Sequence, residues 1–266
     1  MGRISETFSE LEKQKKKALI AYVVAGDPDL SCTLKSMHLM VSEGVDIIEL
    51  GIAFSDPMAE GSSIQRGHER ALIKKTSLED TLRLVMSFRE TNKNTPVVLM
   101  GYTNPFRAMG CKIFSYKALK SGVDGLLIVD MPPEESKEFT EETRKLGIDI
   151  IRLVAPTTKE SRIKTICAEA SGYVYYISLK GTTGANFIDT KELEKKVSVV
   201  QSLTNLPVVI GFGIKDGKTV TSVRNLADGI VVGSTLVDIM GGQKDRIEKE
   251  LSIKIKDLSQ ALNENK

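Results

Sequence analysis

The sequence has little of what several classes of protein require. It contains two histidines, His38 and His68, which argues against a zinc site built from histidine. Its three cysteines, Cys32, Cys111 and Cys167, are odd in number and widely spaced, a pattern typical of reduced thiols in the cytoplasm. No apolar run approaches the roughly 18 residues of a membrane helix, and the charged N-terminus does not resemble a secretory signal. We therefore expect a cytoplasmic chain with no metal site and no membrane segment.

A large excess of charge of one sign is also missing. The 37 lysines and arginines nearly balance 35 aspartates and glutamates, for a net charge of +2, and both signs are interspersed along the chain. A nucleic-acid binder would concentrate basic residues on one face. We therefore expect no nucleic-acid partner.

Short β-branched runs alternate with amphipathic, charged stretches along the whole chain. The predicted strands are residues 19–25, 45–51, 96–102, 125–130, 149–154, 173–178, 207–211 and 229–232. Most of these runs are almost continuously apolar, as expected for strands of a parallel sheet covered on both faces. The predicted helices between them include 78–89, 134–146, 160–168 and 192–203, with Ser77 and Gly147 as candidate caps.

Two further helices, residues 4–16 and 244–262, are predicted outside this repeat. The first fits a plug at the bottom of a barrel, and the second fits packing beside the last β/α unit. Eight strands joined by helices can form a barrel or an open doubly wound sheet. Strand count and length favour the barrel, and no linker-like segment divides the chain. We predict an α/β fold in which residues 1–266 form a single-domain (β/α)₈ TIM barrel with an extra N-terminal helix and a C-terminal helix.

The predicted strand 45–51 carries one carboxyl group near its end, Glu49. Barrel enzymes hold catalytic groups at the carboxyl ends of strands. Alternation places Glu49 on the same face as Val45 and Ile47, away from water. Desolvation raises the pKa of a carboxyl group, which suits general acid–base catalysis near neutral pH. The alternative is a glutamate in an ion pair that ties the barrel interior together.

The loop after this strand, residues 52–64, is longer than a plain βα turn and holds Asp56 and Glu60. Loops of this length in compact domains are often functional. Taken singly, Asp56 beside Pro57 is typical of a turn, and Glu60 of a solvated surface.

Glycines end the last two predicted strands, with Gly213 after one and Gly233-Ser234 after the other. Barrels often bind phosphate with the loops after strands seven and eight, where glycine lets backbone N–H groups approach the oxygens. We therefore predict a phosphate site, although such glycines can simply make turns. The Gly/Thr-rich run 178–186 predicts either a lid or a surface loop without a role.

The remaining features have plainer interpretations. His68 lies in a charged stretch and His38 in an amphipathic one, so we expect both to be solvated or at packing margins, with no neighbours for a catalytic triad. Aromatic residues in or at the ends of the predicted strands fit either core packing or the wall of a flat apolar pocket. These aromatic residues are Tyr22, Tyr102, Tyr175 and Phe212.

Over essentially its whole length the sequence resembles the α subunit family of tryptophan synthase. The matching stretches are ALIAYVVAGDPD, DIIELGIAFSDPMAEGSSIQ, PVVLMGYTNP, GVDGLLIVDMPPEE, GYVYYISLKGTTGA, LPVVIGFGI and DGIVVGSTLV. The resemblance implies a barrel that cleaves indole-3-glycerol phosphate to indole and D-glyceraldehyde 3-phosphate. It further implies no cofactor in this chain and a partner, the pyridoxal-phosphate-dependent (PLP-dependent) β subunit, in an αββα heterotetramer that passes indole through a tunnel.

The resemblance also implies roles for individual positions. Glu49 matches the general acid–base glutamate, and Glu60 takes the place of a second carboxylate that is often aspartate. The implied phosphate contacts are Gly184, Gly213, Gly233 and Ser234. Tyr175 matches an aromatic residue beside the catalytic glutamate, and Thr183 a threonine linked to lid closure. The implied walls of the indole pocket are Tyr22, Met100, Leu127 and Phe212. Asp56 is expected near the β-subunit interface.

Some positions depart from the family's pattern. Glu60 is one methylene longer than aspartate, Ala53 and Ser62 stand where proline is common, and Leu179-Lys180 replaces a pair that begins with arginine. Two alternatives therefore stay open: a catalytically weak regulatory subunit that activates the β subunit, and another phosphate-binding TIM-barrel enzyme.

Overall fold

A computed structural model describes residues 2–177, 190–211 and 213–264. In these residues the strands form one parallel sheet. The strands are β1 (Ala18–Val24), β2 (Ile47–Gly51), β3 (Val97–Gly101), β4 (Gly125–Ile128), β5 (Asp149–Ile150), β6 (Arg152–Val154), β7 (Val174–Ile177), β8 (Val208–Gly211) and β9 (Gly229–Val232). All eight predicted strands are present, with ends that move by a few residues.

Helices follow most of the strands and cover the outside of the sheet. They are α1 (Arg3–Lys13), α2 (Leu30–Ser42), α3 (Ser62–Ile73), α4 (Leu78–Thr91), α5 (Thr103–Met109), α6 (Cys111–Ser121), α7 (Lys137–Lys145), α8 (Glu160–Ala168), α9 (Thr190–Ser202), α10 (Gly217–Val223), α11 (Ser234–Met240) and α12 (Ile247–Asn263). Ser77 caps α4 as predicted, with its side chain accepting the Asp80 N–H. Gly147 follows α7 at φ +71, a conformation that favours glycine. Among the described residues, no helix is long and apolar enough to cross a membrane.

The sheet closes into a barrel at its fifth strand. Its order, β5-β4-β3-β2-β1-β9-β8-β7-β6, places the two halves of the predicted strand 149–154 at its two ends. Only Ile151 separates these halves. The Ile151 N–H donates to the Leu126 carbonyl at 2.8 Å, so the interruption leaves the ring of strands connected. The predicted TIM barrel is confirmed, with its fifth strand divided in two.

Alternate residues of each strand face two separate apolar cores. On β1, Ile20 and Tyr22 face the barrel interior, whereas Leu19 faces the surrounding helices. On β2, Ile47 lies in the same interior core. Glu49 is two residues further along and therefore also points inward, where its exposure is 0%.

Helix α1 closes the amino-terminal end of the barrel, as predicted. Ile4, Phe8 and Leu11 lie on one face of the helix and join the interior core. The Phe8 ring lies 5.9 Å from the ring of Tyr173. Helix α1 approaches β4 so closely that a Cβ at Gly125 would lie 3.0 Å from Ile4 Cδ1. The predicted C-terminal helix is α12, which packs against α10 and α11 and also against α2.

A buried carboxylate joins several elements at the amino-terminal end of the barrel. Asp124 Oδ2 accepts the Val97 N–H at 2.7 Å and Arg89 Nη2 at 2.6 Å. Its Oδ1 accepts Arg3 Nη1 at 2.7 Å. One side chain thus connects β3, the start of β4, α4 and α1.

We expect Asp124→Ala to lower the free energy of unfolding by about 3–5 kcal/mol, because it leaves the buried Arg89 cation without its carboxylate. Urea unfolding of the full chain measures this loss. The matched control is Asp238→Ala, which removes an exposed ion pair with Arg66 at 3.0 Å and should cost about 1 kcal/mol or less. Equal losses in the two variants would contradict the structural role of Asp124.

Candidate active site

Glu49 lies at the carboxyl end of β2, inside the barrel and shielded from solvent. Strand pairing places it between Tyr22 of β1 and Val98 of β3. The pKa of Glu49 is raised to about 7: burial raises it most, the hydrogen bond from Tyr173 lowers it, and the charge of Glu60 adds a smaller rise. The carboxyl group is thus able to hold or release a proton near neutral pH.

The two oxygens of Glu49 have different surroundings. The Tyr173 hydroxyl donates to Oε1 at 2.5 Å. Oε2 is buried and has no hydrogen-bond partner in the part of the chain that the structure describes. Across residues 2–177, 190–211 and 213–264, no cation forms a salt bridge with Glu49. The described residues therefore give no support to the alternative in which Glu49 belongs to an ion pair. One oxygen is held in place, and the other is left for a reacting group.

Glu60 contributes a second carboxyl group to the same space. It is half-buried, and burial raises its pKa to about 7. Its charge raises the pKa of Glu49, Tyr22 and Tyr175, which places the carboxylate near all three. The backbone of Glu60 is fixed by Gln65, whose Nε2 donates to the Glu60 carbonyl at 2.9 Å. Glu60 is therefore not the solvated residue that the loop pattern alone suggests.

Two glycines at strand ends make room for two tyrosines. A Cβ at Gly51 would lie 2.3 Å from the Tyr22 hydroxyl, and one at Gly211 would lie 1.9 Å from the Tyr175 hydroxyl. The geometry is the same in both pairs. Each tyrosine pairs with the residue two positions before the glycine on the neighbouring strand, Glu49 for Tyr22 and Val209 for Tyr175. Both phenol rings thus cross the carboxyl end of the next strand.

Three of the residues predicted to wall the pocket meet in the interior core, together with the aromatic residue predicted beside Glu49. Tyr22 and Leu127 are buried there, and Met100 and Tyr175 pack against it half-buried. Strand pairing joins Gly51, Met100 and Leu127 in one row across β2, β3 and β4. These apolar side chains and the two tyrosines lie beside Glu49, as a pocket for a flat ring requires.

Two of the predicted phosphate contacts, Gly213 and Gly233, follow β8 and β9 at one level of the barrel. Gly211 of β8 pairs with Val231 of β9. Gly213 lies two residues after Gly211, and Gly233 lies two residues after Val231. The first intrahelical bonds of α11 run from Leu236 and Val237 to the Gly233 carbonyl. The N–H groups of the helix start are therefore open to an anion. Ser234 begins this helix and is exposed.

The loop 52–61 combines an exposed tip with an anchored base. Asp56 is exposed and accepts a hydrogen bond from Ser55, and Met58 is 80% exposed. The Ala59 N–H donates to the Tyr102 hydroxyl at 3.1 Å. The tip thus offers one charged and one apolar side chain to the surroundings.

The prediction for His68 is wrong. Its side chain is 2% exposed, because Ile64, Gly67, His68 and Ala71 share the inward face of α3. This i, i+3, i+4, i+7 spacing is the signal that sequence reasoning missed, since the charged neighbours concealed it. Tyr173 was also missed as a partner of Glu49, although alternation places it on the same face as Tyr175.

Three predicted site residues, Thr183, Gly184 and Phe212, lie outside the described residues, as does the lid segment 178–186. Among the residues that are described, no group of three or more histidine, cysteine, aspartate and glutamate side chains is placed to hold a metal ion.

Comparisons with known proteins agree with this geometry. A family model described as tryptophan synthase alpha chain matches residues 8–265. A tryptophan synthase alpha chain of Nitrosomonas europaea is 50% identical, over 90% of this chain and 86% of that protein. One from Methylococcus capsulatus is 46% identical, over 94% and 93%. The crystal structure of tryptophan synthase subunit alpha from Legionella pneumophila str. Paris has a TM-score of 0.92 and 38% identity, and the match covers 99% of both chains.

We expect Glu49→Gln to stabilise the protein at pH 8 more than at pH 5. The folded-state pKa of about 7 lies above the ordinary value of 4.5, so the wild type loses stability as the pH rises between these values. The loss is ~1.4 kcal/mol per pH unit and about 3 kcal/mol in total. The glutamine variant has no proton to lose. Urea unfolding at both pH values measures the difference.

The control for this experiment is Glu90→Gln, a change at an exposed position of α4. It should show the same small difference from wild type at both pH values. A pH-independent effect of Glu49→Gln would show that the Glu49 carboxyl is not desolvated.

Proposed function

The chain belongs to the tryptophan synthase alpha chain family, and we propose that it cleaves its substrate with Glu49 as the general acid–base and Glu60 as the second carboxylate. The family reaction is the cleavage of indole-3-glycerol phosphate to indole and D-glyceraldehyde 3-phosphate, a lyase step in tryptophan biosynthesis. The observation that carries the proposal is the buried Glu49 carboxyl, with Oε1 bonded to Tyr173 and Oε2 without a partner in the described residues.

The reaction breaks the bond between C3 of indole and the first carbon of the glycerol chain. One proton is added to C3, and one is removed from the hydroxyl on that same first glycerol carbon. This carbon becomes the aldehyde as the electrons of the broken bond return to the ring. A protonated Glu49 supplies the first proton, and the resulting carboxylate accepts the second. A pKa of about 7 makes both forms accessible at neutral pH.

Glu60 stabilises the intermediate. Protonation at C3 removes the aromaticity of the five-membered ring and places positive charge on the indole nitrogen. A carboxylate that accepts the indole N–H stabilises this charge most strongly in a site that excludes water. Because Glu60 has one more methylene than aspartate, its side chain must fold back to reach the same N–H group.

The substrate is held at both ends. Tyr22, Met100, Leu127 and Tyr175 surround the flat indole ring, together with Phe212. The backbone of Gly213, Gly233 and Ser234, together with Gly184, binds the phosphate, and Thr183 takes part in lid closure. Fixing the phosphate brings the glycerol carbon to Glu49, which removes much of the entropic cost of alignment.

Glu49→Gln should lower kcat for indole-3-glycerol phosphate by ~10²–10⁴-fold, since general acid–base catalysis is worth that much, while KM changes little. Glu60→Gln should also lower kcat, and Glu60→Asp should retain activity. Indole release by the isolated full-length chain is the measurement, with Glu90→Gln as the control. Undiminished turnover in Glu49→Gln would rule out the assignment.

The same assay separates the two remaining alternatives. A regulatory subunit would show no turnover in the wild type and would still stimulate a β subunit. An enzyme of another phosphate-binding barrel class would leave indole-3-glycerol phosphate intact and isomerise an aminosugar phosphate instead.

We also propose that this chain works in the cytoplasm with a tryptophan synthase β subunit, in an αββα heterotetramer that passes indole between subunits. A solved tryptophan synthase complex from Pyrococcus furiosus supports a partner, with 38% identity, a TM-score of 0.82 and coverage of 91% of this chain and 98% of that chain. The family's PLP belongs to the β subunit, so this chain carries no cofactor. The exposed Asp56 and Met58 of loop 52–61 are our candidates for the interface.

Asp56→Ala should reduce the stimulation of cleavage by a β subunit about tenfold, the effect of losing one hydrogen bond to a charged group. KM in the absence of the β subunit should not change, because Asp56 is exposed and is not one of the proposed substrate contacts. Steady-state rates with and without saturating β subunit measure both values. The control is the exposed Asp245, changed to alanine, and equal stimulation of Asp56→Ala and wild type would count against this interface.

A further inference from the structure

Helix α3 is held rigidly against the end of β1. Gly67 allows the close approach, since a Cβ there would lie 3.1 Å from Val24 Cγ2 of β1 and 2.7 Å from Val237 Cγ1 of α11. One turn further on, Arg70 Nε and Nη2 donate to the buried Asp27 at 2.7 and 2.8 Å. Arg70 Nη2 also donates to the Val237 carbonyl at 3.1 Å. A side chain between these two contacts has a fixed position relative to the barrel.

His68 is that side chain, and both of its ring nitrogens have partners. The Phe54 N–H donates to Nδ1 at 3.2 Å. Nδ1 therefore carries no proton, and the proton of the neutral ring is on Nε2. Nε2 lies 3.3 Å from the Tyr22 hydroxyl oxygen, so the ring donates to that oxygen. Burial lowers the pKa of His68 to about 4, which keeps this neutral form at physiological pH.

The two partners of His68 belong to different parts of the site. Phe54 lies at the start of loop 52–61, which carries Glu60. Tyr22 lies over Gly51, and a Cβ at Gly233 would lie 3.4 Å from its Cβ. Tyr22 therefore stands between the catalytic strand and the proposed phosphate turn. One imidazole ring joins the base of the loop to this wall.

We propose that His68 is a positioning residue that fixes the base of loop 52–61 relative to Tyr22, and so sets the second carboxylate against the pocket wall. The inference rests on the proposed function, which gives Glu60 and Tyr22 their roles. His68 itself touches no reacting atom and acts through its two neighbours. A histidine that served only to fill space would not need a hydrogen-bond partner at each ring nitrogen.

Two substitutions separate the two hydrogen bonds of the ring. In His68→Asn the amide oxygen takes the place of Nδ1, so the contact with Phe54 is kept and that with Tyr22 is lost. In His68→Gln the longer side chain brings its amide N–H to the place of Nε2, so the contact with Tyr22 is kept and that with Phe54 is lost. His68→Leu removes both contacts.

The first readout is hydrogen exchange of the Phe54 amide, measured by NMR on the full chain. Exchange should be about three- to tenfold faster in His68→Gln and His68→Leu than in wild type, the effect of losing one hydrogen bond. It should be nearly unchanged in His68→Asn. This readout requires no turnover.

The second readout is the kinetics of cleavage of indole-3-glycerol phosphate. His68→Asn should raise KM about three- to tenfold, because the wall formed by Tyr22 loses its hydrogen bond. His68→Gln should mainly lower kcat, because Glu60 is carried by the released loop. In a Tyr22→Phe background, which leaves α3 untouched, His68→Asn should have no further effect on KM.

The control is His38→Asn, a change at the second histidine. Its ring is half-buried and tilted against Phe88, with the ring centroids 4.8 Å apart. This substitution should change neither readout. Equal behaviour of His68→Asn and His68→Gln in both readouts would overturn the proposal, as would additive effects with Tyr22→Phe. If the wild type did not cleave the substrate, the proposed function would fail, whereas a uniform Phe54 exchange rate would refute the role of His68 alone.

Discussion

The structure depends on placing one carboxyl group in an apolar barrel interior. An isolated ion in such surroundings is strongly disfavoured, so the environment of Glu49 decides its protonation. Several donors would stabilise the carboxylate and fix it as an ion, whereas the absence of any donor would raise the pKa further. Among the described residues Tyr173 is the one donor to Glu49, and the pKa of Glu49 is about 7. This intermediate value is the one that a group exchanging protons in both directions needs.

Shielding Glu49 from solvent depends on large side chains at the carboxyl ends of the strands. Tyr22 and Tyr175 reach across the ends of neighbouring strands, and both need a glycine beneath the ring, Gly51 and Gly211 respectively. The repeated offset of two residues between the tyrosine and the glycine follows from parallel pairing. Glycine at these strand ends is therefore required by the neighbouring side chain, whereas Gly147 is required by its own backbone conformation.

Local patterns were sufficient to predict the barrel, the cap at Ser77 and the inward face of Glu49, because each depends on neighbours within one element. The division of the fifth strand was not predicted, because it removes only Ile151 from the strand, and an isoleucine between Ile150 and Arg152 gives no signal of an interruption. The partner of Glu49 was not predicted either. Tyr173 lies 124 residues away along the chain, and only the closed barrel brings the two together. The burial of His68 was missed because its charged neighbours were given more weight than the helical spacing of the residues on its face of α3.

Two carboxylates of this barrel show how hydrogen bonding, rather than burial, separates structural from chemical roles. Both oxygens of Asp124 accept donors, three in total, so the group holds elements together. Glu49 is also buried, yet only one of its oxygens has a partner among the described residues. A raised pKa by itself does not make this distinction. Burial raises the pKa of Asp46 to about 6 at the amino-terminal end, where Oδ2 accepts the Leu19 N–H. An unpartnered oxygen in the pocket is what distinguishes Glu49.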